Sequence, residues 1–449
     1  MQANRFCFLS SSADQSTRTM RFVYETVFSD NPPIQFTESI RFPENVSFEK
    51  LPPPLLSKLR SSLHLMLGVS YWKAFAAHEI DTGEIQLTPE EADFWTTLYT
   101  RGMGEFYYQN ELDFRDYLQF PSVRSGGRNY YEHTLQNRAL IGIGGGKDSI
   151  VAAELLRAGG ISQSGLQIEN HGQRSSTDAV IDALGIPAIK LVRTLDPQLS
   201  RLPGAYTGHV PVSAIYALLG VTTALLMDYR WVIVANEQSA NEGTARYLGE
   251  TVNHQWSKSI IFERLFRTYV KNFLSPDVEY FSLLRPYSEL SIVSMFVRFP
   301  RYFHVFTSCN RNFRMHCSTG SDSGALWCGT CAKCAFAYLV LAAFLDRETV
   351  RSIFGKNLLA DEALVPLYRE LLGLTERKPF DCVGTIDEVK AAFALVLRRG
   401  EHDDASGMKL YKNEVLEKGF EPSLAIHRAL QWRDDHCIPE MLLRLLPRT

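Results

Sequence analysis

Three glycines, Gly144, Gly145 and Gly146, lead directly into Lys147, Asp148 and Ser149, after an apolar run from Ala139 to Ile143. Glycine lets successive backbone N–H groups converge on one anion, and a helix starting at the lysine adds partial positive charge. The chemistry this order suits is phosphate binding. Ser149 would donate a hydroxyl, Lys147 would supply charge, and Asp148 would bond the loop or face Mg²⁺. The common ATP-binding loop needs its lysine followed at once by Ser or Thr. Asp148 intervenes here, so that motif is excluded.

A second concentration of chemistry lies downstream. Five of the eight cysteines fall between Cys309 and Cys334. Cys328, Cys331 and Cys334 are spaced C-x₂-C-x₂-C, which puts three thiols in one turn. A fourth from upstream, Cys309 or Cys317, would complete a tetrahedral Cys₄ zinc site. Clustering of this kind in a chain read as cytosolic favours metal over disulfides.

Polar residues gather between the two landmarks. "GHVPVSAI" places His209 ahead of a helix, near nucleotide or substrate. "ANEQSANEG" follows an apolar strand, so Asn236, Glu237, Ser239 and Asn241 fall at the strand's C-terminal end, where open α/β sheets bind ligands. "NHQWSKSIIFE" adds His254 and Lys258, and "RPYSEL" adds Arg285 and Glu289. His254 is the first candidate for a base, because imidazole titrates near neutrality; Lys258 would need desolvation to serve. Cys382 sits in a Gly-containing turn before a helix capped by Thr385 or Asp387. It reads either as a thiol activated by a helix N-terminus or as a small buried hydrophobe.

The elements that must hold these groups follow from periodicity. The 449 residues are enough for two or three domains of roughly 150 residues. Residues 1–135 read as a small α+β domain: two alternating runs around Asn31-Pro32-Pro33 predict an antiparallel strand pair. A helix follows over "LLSKLRSSLHLML", and another has Thr88 as N-cap, Pro89 first and Glu91 closing a capping box. Residues 136–340 alternate strand and helix, which predicts an α/β parallel sheet with helices on both faces. Residues 341–449 read as helical, with "RRGEHDDASGMK" as a mobile loop.

Composition excludes some classes. With 47 basic and 50 acidic residues the net charge is −3, which gives no general attraction to nucleic acid. Leu202 to Met227 lacks charge but is broken by Pro203, Gly204, Gly208 and Pro211, so it predicts a loop and a buried helix, with no membrane span. The N-terminus lacks the form of a secretory signal. Oligomeric state is left open.

Gly144 to Ser149 resembles the PP-loop S-G-G-x-D-S of ATP pyrophosphatases, with Gly144 in place of the first serine. That resemblance implies cleavage of ATP to AMP and pyrophosphate. C-G-x-C-x-x-C is similar to the zinc knot of PP-loop deazaguanine nitrile synthases, where the first ligand follows a serine, which favours Cys309 over Cys317. The ordered set G-G-G-K-D-S, N-E-Q-S-A-N-E-G, N-H-Q-W-S-K-S, S-C-N and W-C-G-x-C-x-K-C resembles the UDP-N-acetylmuramoyl-L-alanyl-L-glutamate epimerase (MurL) family over nearly the whole chain. The resemblance implies ATP- and Mg²⁺-dependent conversion of a terminal L-Glu to D-Glu on a UDP-MurNAc-dipeptide. Cys317 and Cys382 would then be a thiol-pair alternative for the base, as in cofactor-independent racemases. The N-terminal domain would recognise the UDP-sugar, with Arg124 and Arg128 near the connector reading equally as phosphate contacts or as ordinary surface arginines. Two other readings stay open: a different PP-loop enzyme, forming amides or modifying nucleobases, and a non-catalytic zinc-stabilised nucleotide sensor.

Overall fold

The computed structural model describes residues 3–123, 130–170, 176–243, 245–309, 326–375 and 379–448. Its strands are β1 (Ala3–Asp14), β2 (Thr19–Phe28), β3 (Ile34–Arg41), β4 (Glu79–Asp81), β5 (Gln136–Gly142), β6 (Gln163–Asn170), β7 (Ala188–Thr194), β8 (Tyr229–Val234), β9 (Ala245–Tyr247), β10 (Glu250–Val252) and β11 (Glu279–Ser282). Nine of them form one sheet in the order β11-β8-β5-β6-β7-β3-β2-β1-β4; β9 and β10 form a separate hairpin. The five from β11 to β7 are parallel.

The predicted antiparallel pair is β2 and β3. Its alternation has the expected cause: Met20, Phe22, Tyr24 and Phe28 point into the core from every second position of β2. The sequence reading did not resolve β1, β4, β9, β10 or β11, whose runs are short or irregular; β1 carries two register shifts against β2.

The sheet continues across residue 135. β3 hydrogen-bonds β7 antiparallel, with Ile40 opposite Arg193. The N-terminal strands thus extend the sheet of the middle region. A buried ion pair fastens the junction: Arg193 Nε lies 2.5 Å from Glu38 Oε1, and its Nη2 donates to Ser70 Oγ at 2.9 Å. Burial raises the Glu38 carboxyl and Arg193 opposes that rise.

Helices cover both faces, as period-2 burial of parallel strands requires. Ala139, Ile141, Trp231, Ile233 and Phe281 face one core with α4 (Lys147–Ala158), α5 (Ser176–Leu184), α8 (Glu289–Phe296) and α9 (Ala332–Ala342). Their neighbours Leu140, Val232 and Tyr280 face the other, with α1 (Pro53–Trp72), α2 (Pro89–Arg101), α6 (Val212–Met227) and α7 (Ile260–Phe273). Each fully buried Ile or Leu there contributes roughly 2 kcal/mol by removal from water. Between α2 and β5 lies α3 (Gly104–Gln109).

The capping box at Thr88 and Glu91 forms as the sequence predicts. Past α9 the chain is helical, with α10 (Arg347–Phe354), α11 (Val365–Leu371) and α12 (Ile386–Arg399). The loop after Arg399 departs from the expectation of mobility. His402 is buried there, and Glu401 accepts from the Arg347 backbone N–H at 2.7 Å, so the turn is anchored. Among the described residues, no helix is long and apolar enough to cross a membrane.

Candidate active site

The glycine loop joins β5 to α4 at the C-terminal edge of the parallel strands. Gly145 has φ +83°, a conformation that favours glycine, and a Cβ there would stand 3.2 Å from Thr177 Cγ2. Gly146 is the N-cap of α4, and Ser149 Oγ donates to the Gly146 carbonyl at 3.0 Å. A Cβ at Gly144 would meet nothing within 4 Å. The room for a serine is therefore present where this chain has none. Thr307 N–H donates to the Gly145 carbonyl at 2.9 Å, tying the loop to the segment that leads to Cys309.

Three neighbouring strands deliver acidic groups to this loop. Asp148 comes from the first turn of α4 after β5, Glu237 follows β8, and Glu289 opens α8 after β11. One carboxylate oxygen of each lies within 4.8 Å of the others. Lys147 Nζ stands among them, 2.5 Å from Asp148 Oδ1 and also bonded to Glu289. Burial would lower the Lys147 ammonium; Asp148 and Glu289 outweigh it and hold it well above its ordinary range. Burial raises Glu289, while Lys147 draws it down and Asp148 and Glu237 push it up. For Glu237, burial is overcome by Lys258, Lys333 and Lys147, and the carboxyl is held below its ordinary value. Asp148, Glu237 and Glu289 together offer three hard oxygen donors at one point. That donor set fits Mg²⁺.

A fourth element brings a thiol. Lys258 Nζ lies 3.3 Å from Cys382 Sγ. The sulfur raises the Lys258 ammonium above its ordinary range, against the pull of burial, with Glu237 adding to the rise. The desolvation that would make Lys258 a base is present and outweighed. Arg285 is wholly buried beneath the pair. It donates to the carbonyls of Glu237 at 2.9 Å and Lys258 at 2.5 Å and pairs with Glu263 at 3.0 Å. Lys333 donates to the Cys382 carbonyl. Thr385 proves to be the cap of α12, in a capping box with Glu388, whose Oε1 accepts from Glu289 N–H at 2.8 Å.

Histidines complete the wall. The His254 ring packs edge-on against Phe380 at 6.0 Å, two residues before Cys382. His209 Nδ1 lies 4.0 Å from Glu105 Oε2. Burial first, then Lys258 and Lys73, pull the imidazole down to about 4. Much of the remaining polarity is structural: Asn253 Nδ2 donates to the Ala240 carbonyl, and Asn241 Oδ1 accepts from Ile260 N–H.

The cysteine cluster sits beside the loop. Cys309, Cys328, Cys331 and Cys334 bring their sulfurs within 4.8 Å of one another, with separations of 4.0, 3.7 and 3.5 Å for 309–331, 328–334 and 331–334. A zinc–thiolate tetrahedron has edges of ~3.8 Å, from Zn–S bonds of ~2.3 Å. The four sulfurs fit one zinc ion. Cys317, Arg124 and Arg128 lie outside the described residues.

Comparison with known proteins follows the same order along the chain. A family model described as the MurL N-terminal domain matches residues 1–283, and one described as the MurL C-terminal domain matches residues 305–423. The chain belongs to the MurL family. A MurL relative from Xanthomonas oryzae pv. oryzae is 33% identical over 444 residues, 98% of this chain and 96% of its own. Another, from Micromonospora sp., is 37% identical over 427 residues, 92% of each chain. Both are named UDP-N-acetyl-alpha-D-muramoyl-L-alanyl-L-glutamate epimerase.

Three residues of this candidate site escape the sequence reading. Lys333 stands between the zinc-spaced Cys331 and Cys334, so its position reads as part of the ligand spacing. Glu388 was signalled by the T-x-x-E box after Thr385. Glu105 carries no local signal, because only folding brings α3 to the loop holding His209.

Proposed function

We propose that this chain is an isomerase that inverts the terminal L-Glu of UDP-MurNAc-L-Ala-L-Glu to D-Glu, consuming ATP and releasing AMP and pyrophosphate, in peptidoglycan precursor synthesis. The names of its relatives support the epimerase reading. The observation that carries the mechanism is the adjacency of two sets of groups: Lys258 contacts Cys382 Sγ at 3.3 Å and lies within the electrostatic reach of Glu237 and Asp148 of the carboxylate cluster.

The chemistry needs that adjacency. A free α-carboxylate places its charge beside Cα, so removing the Cα–H would put a second charge next to the first. Adenylation converts the carboxylate into a neutral acyl group that can delocalise a carbanion. The N-acyl linkage to Ala also permits closure to an oxazolone, whose Cα–H is more acidic. In this reading the loop amides from Gly144 to Gly146, with Lys147 and Ser149, hold the ATP phosphates as a PP-loop does. Asp148, Glu237 and Glu289 would hold Mg²⁺, which supplies charge neutralisation for the departing pyrophosphate. Cys382, its sulfur 3.3 Å from the Lys258 ammonium, takes the Cα proton; His254 is the alternative base on the same wall. Structural zinc on Cys309, Cys328, Cys331 and Cys334 would fix the segment bearing Lys333.

Incubation with ATP, Mg²⁺ and UDP-MurNAc-L-Ala-L-Glu tests this directly, reading AMP and glutamate chirality. Stoichiometric AMP with D-Glu is expected. AMP without D-Glu points to another PP-loop reaction, and neither product to a nucleotide sensor.

A further inference from the structure

Inversion at carbon requires a proton to leave from one face and another to arrive on the opposite face. The thiol–ammonium pair accounts for one side only. A second acid–base pair stands on a different part of the chain, against the same turn. Glu105 lies on α3, and Tyr108 of that helix packs on Phe380 with ring centroids 5.4 Å apart, next to Asp381 and Cys382. The loop bearing His209 is docked on α3 and the end of α1. Asn110 Nδ2 donates to the Thr207 carbonyl at 2.9 Å, and Lys73 Nζ donates to the Gly208 carbonyl at 3.1 Å. The imidazole is thereby held 4.0 Å from Glu105 and stays one-third exposed, open to a substrate, while the Glu105 side chain is only 12% exposed.

We propose that His209, backed by Glu105, is the acid that returns a proton to Cα, on the face opposite Cys382. This rests on the epimerase reading above. Charges around the pair suit the role. Burial first, then Asp381, raise the Glu105 carboxyl to about 7, with Gln109 Nε2 donating to Oε1 at 2.8 Å as the opposing influence. Burial first, then Lys258 and Lys73, keep the imidazole neutral. A neutral imidazole can give up its Nε2 proton only if Nδ1 gains one, and Glu105 is the adjacent donor. The balance closes. The Cys382 thiolate takes Cα–H and becomes a thiol; the carbanion takes the His209 Nε2 proton; Nδ1 takes the Glu105 proton, leaving a carboxylate. Exchange with solvent resets both sides. The 4.0 Å gap would close on substrate binding or be bridged by one water.

The test uses the full chain with ATP, Mg²⁺ and UDP-MurNAc-L-Ala-L-Glu in D₂O, comparing wild type, His209→Asn and the near-isosteric Glu105→Gln. The wild type should give AMP and D-Glu labelled at Cα. In His209→Asn, D-Glu formed per AMP should fall about 100-fold or more while deuterium still enters the Cα of L-Glu, because Cys382 exchanges its own face. The wild-type rate should decline as pH rises through about 7, and Glu105→Gln should slow D-Glu formation and remove that decline. D-Glu per AMP within tenfold of wild type in both variants overturns the proposal. So does loss of L-Glu labelling together with D-Glu while AMP continues, since His209 would then act on proton removal. If the wild type yields no AMP, the activation reading itself fails, and this inference with it.

Discussion

Cys382 and Lys258 illustrate how one contact changes what a residue can do. Alone in sequence, Lys258 was a base awaiting desolvation; beside a sulfur at 3.3 Å it is a cation fixed in place. Cys382→Ala should therefore lower Cα–H exchange per AMP by about 100-fold or more, read by mass spectrometry in D₂O; an unchanged ratio would transfer the role to His254. Glu105 makes a prediction about stability. Its folded value, raised to about 7, exceeds the ordinary carboxylate value of 4.5. The folded state therefore binds more protons than the unfolded state between those values. Stability falls as pH rises from about 4.5 to about 7, by at most about 3 kcal/mol. Denaturant titrations of Glu105→Gln at pH 5 and pH 8 should show this contribution gone, so the difference between the two pH values shrinks relative to wild type.

At the scale of elements, the glycine loop and the cysteine turn are coupled through Thr307, which bonds Gly145 by its N–H and Cys309 N–H by its hydroxyl. The loop glycines are not equivalent. Gly144→Ser should alter stability by no more than about 0.5 kcal/mol, because the added atoms enter open space. Gly145→Val should cost about 2 kcal/mol or more, since a β-branched residue is strained at φ +83° and meets Thr177. Thermal unfolding of the two variants side by side separates them. For the thiol cluster, protein purified without chelator should carry about one zinc per chain. Cys334→Ser should lose the metal and melt several degrees lower; full stability without zinc would leave the cluster as packed thiols.

For the molecule as a whole, the continuous sheet makes the N-terminal strands and the parallel strands that carry the glycine loop one body. The buried Arg193–Glu38 pair sits where they meet. Arg193→Met should destabilise the whole chain by about 3–5 kcal/mol by stranding a buried carboxylate. Arg193→Met with Glu38→Leu should recover much of that loss, measured by chemical denaturation. Failure of the double variant to recover would mean that the pair matters for register more than for charge.

Much of the architecture was legible because it is written locally. The alternation of β2 and β3, the Thr88 and Thr385 boxes and the glycine turn before Lys147 depend on residues a few positions apart, and their periods survive folding unchanged. The cysteine spacing belongs to this class, since a turn alone brings Cys328, Cys331 and Cys334 together. Sequence order also carried the family resemblance. What only the tertiary structure decided is who meets whom across long separations: Lys258 with Cys382, Lys147 with Glu289, Cys309 with the downstream thiols, and α3 with the loop of His209. Those contacts join segments from different strands and both ends of the chain. Short-range propensity is silent about them, because the packing of buried faces against one sheet selects each neighbour.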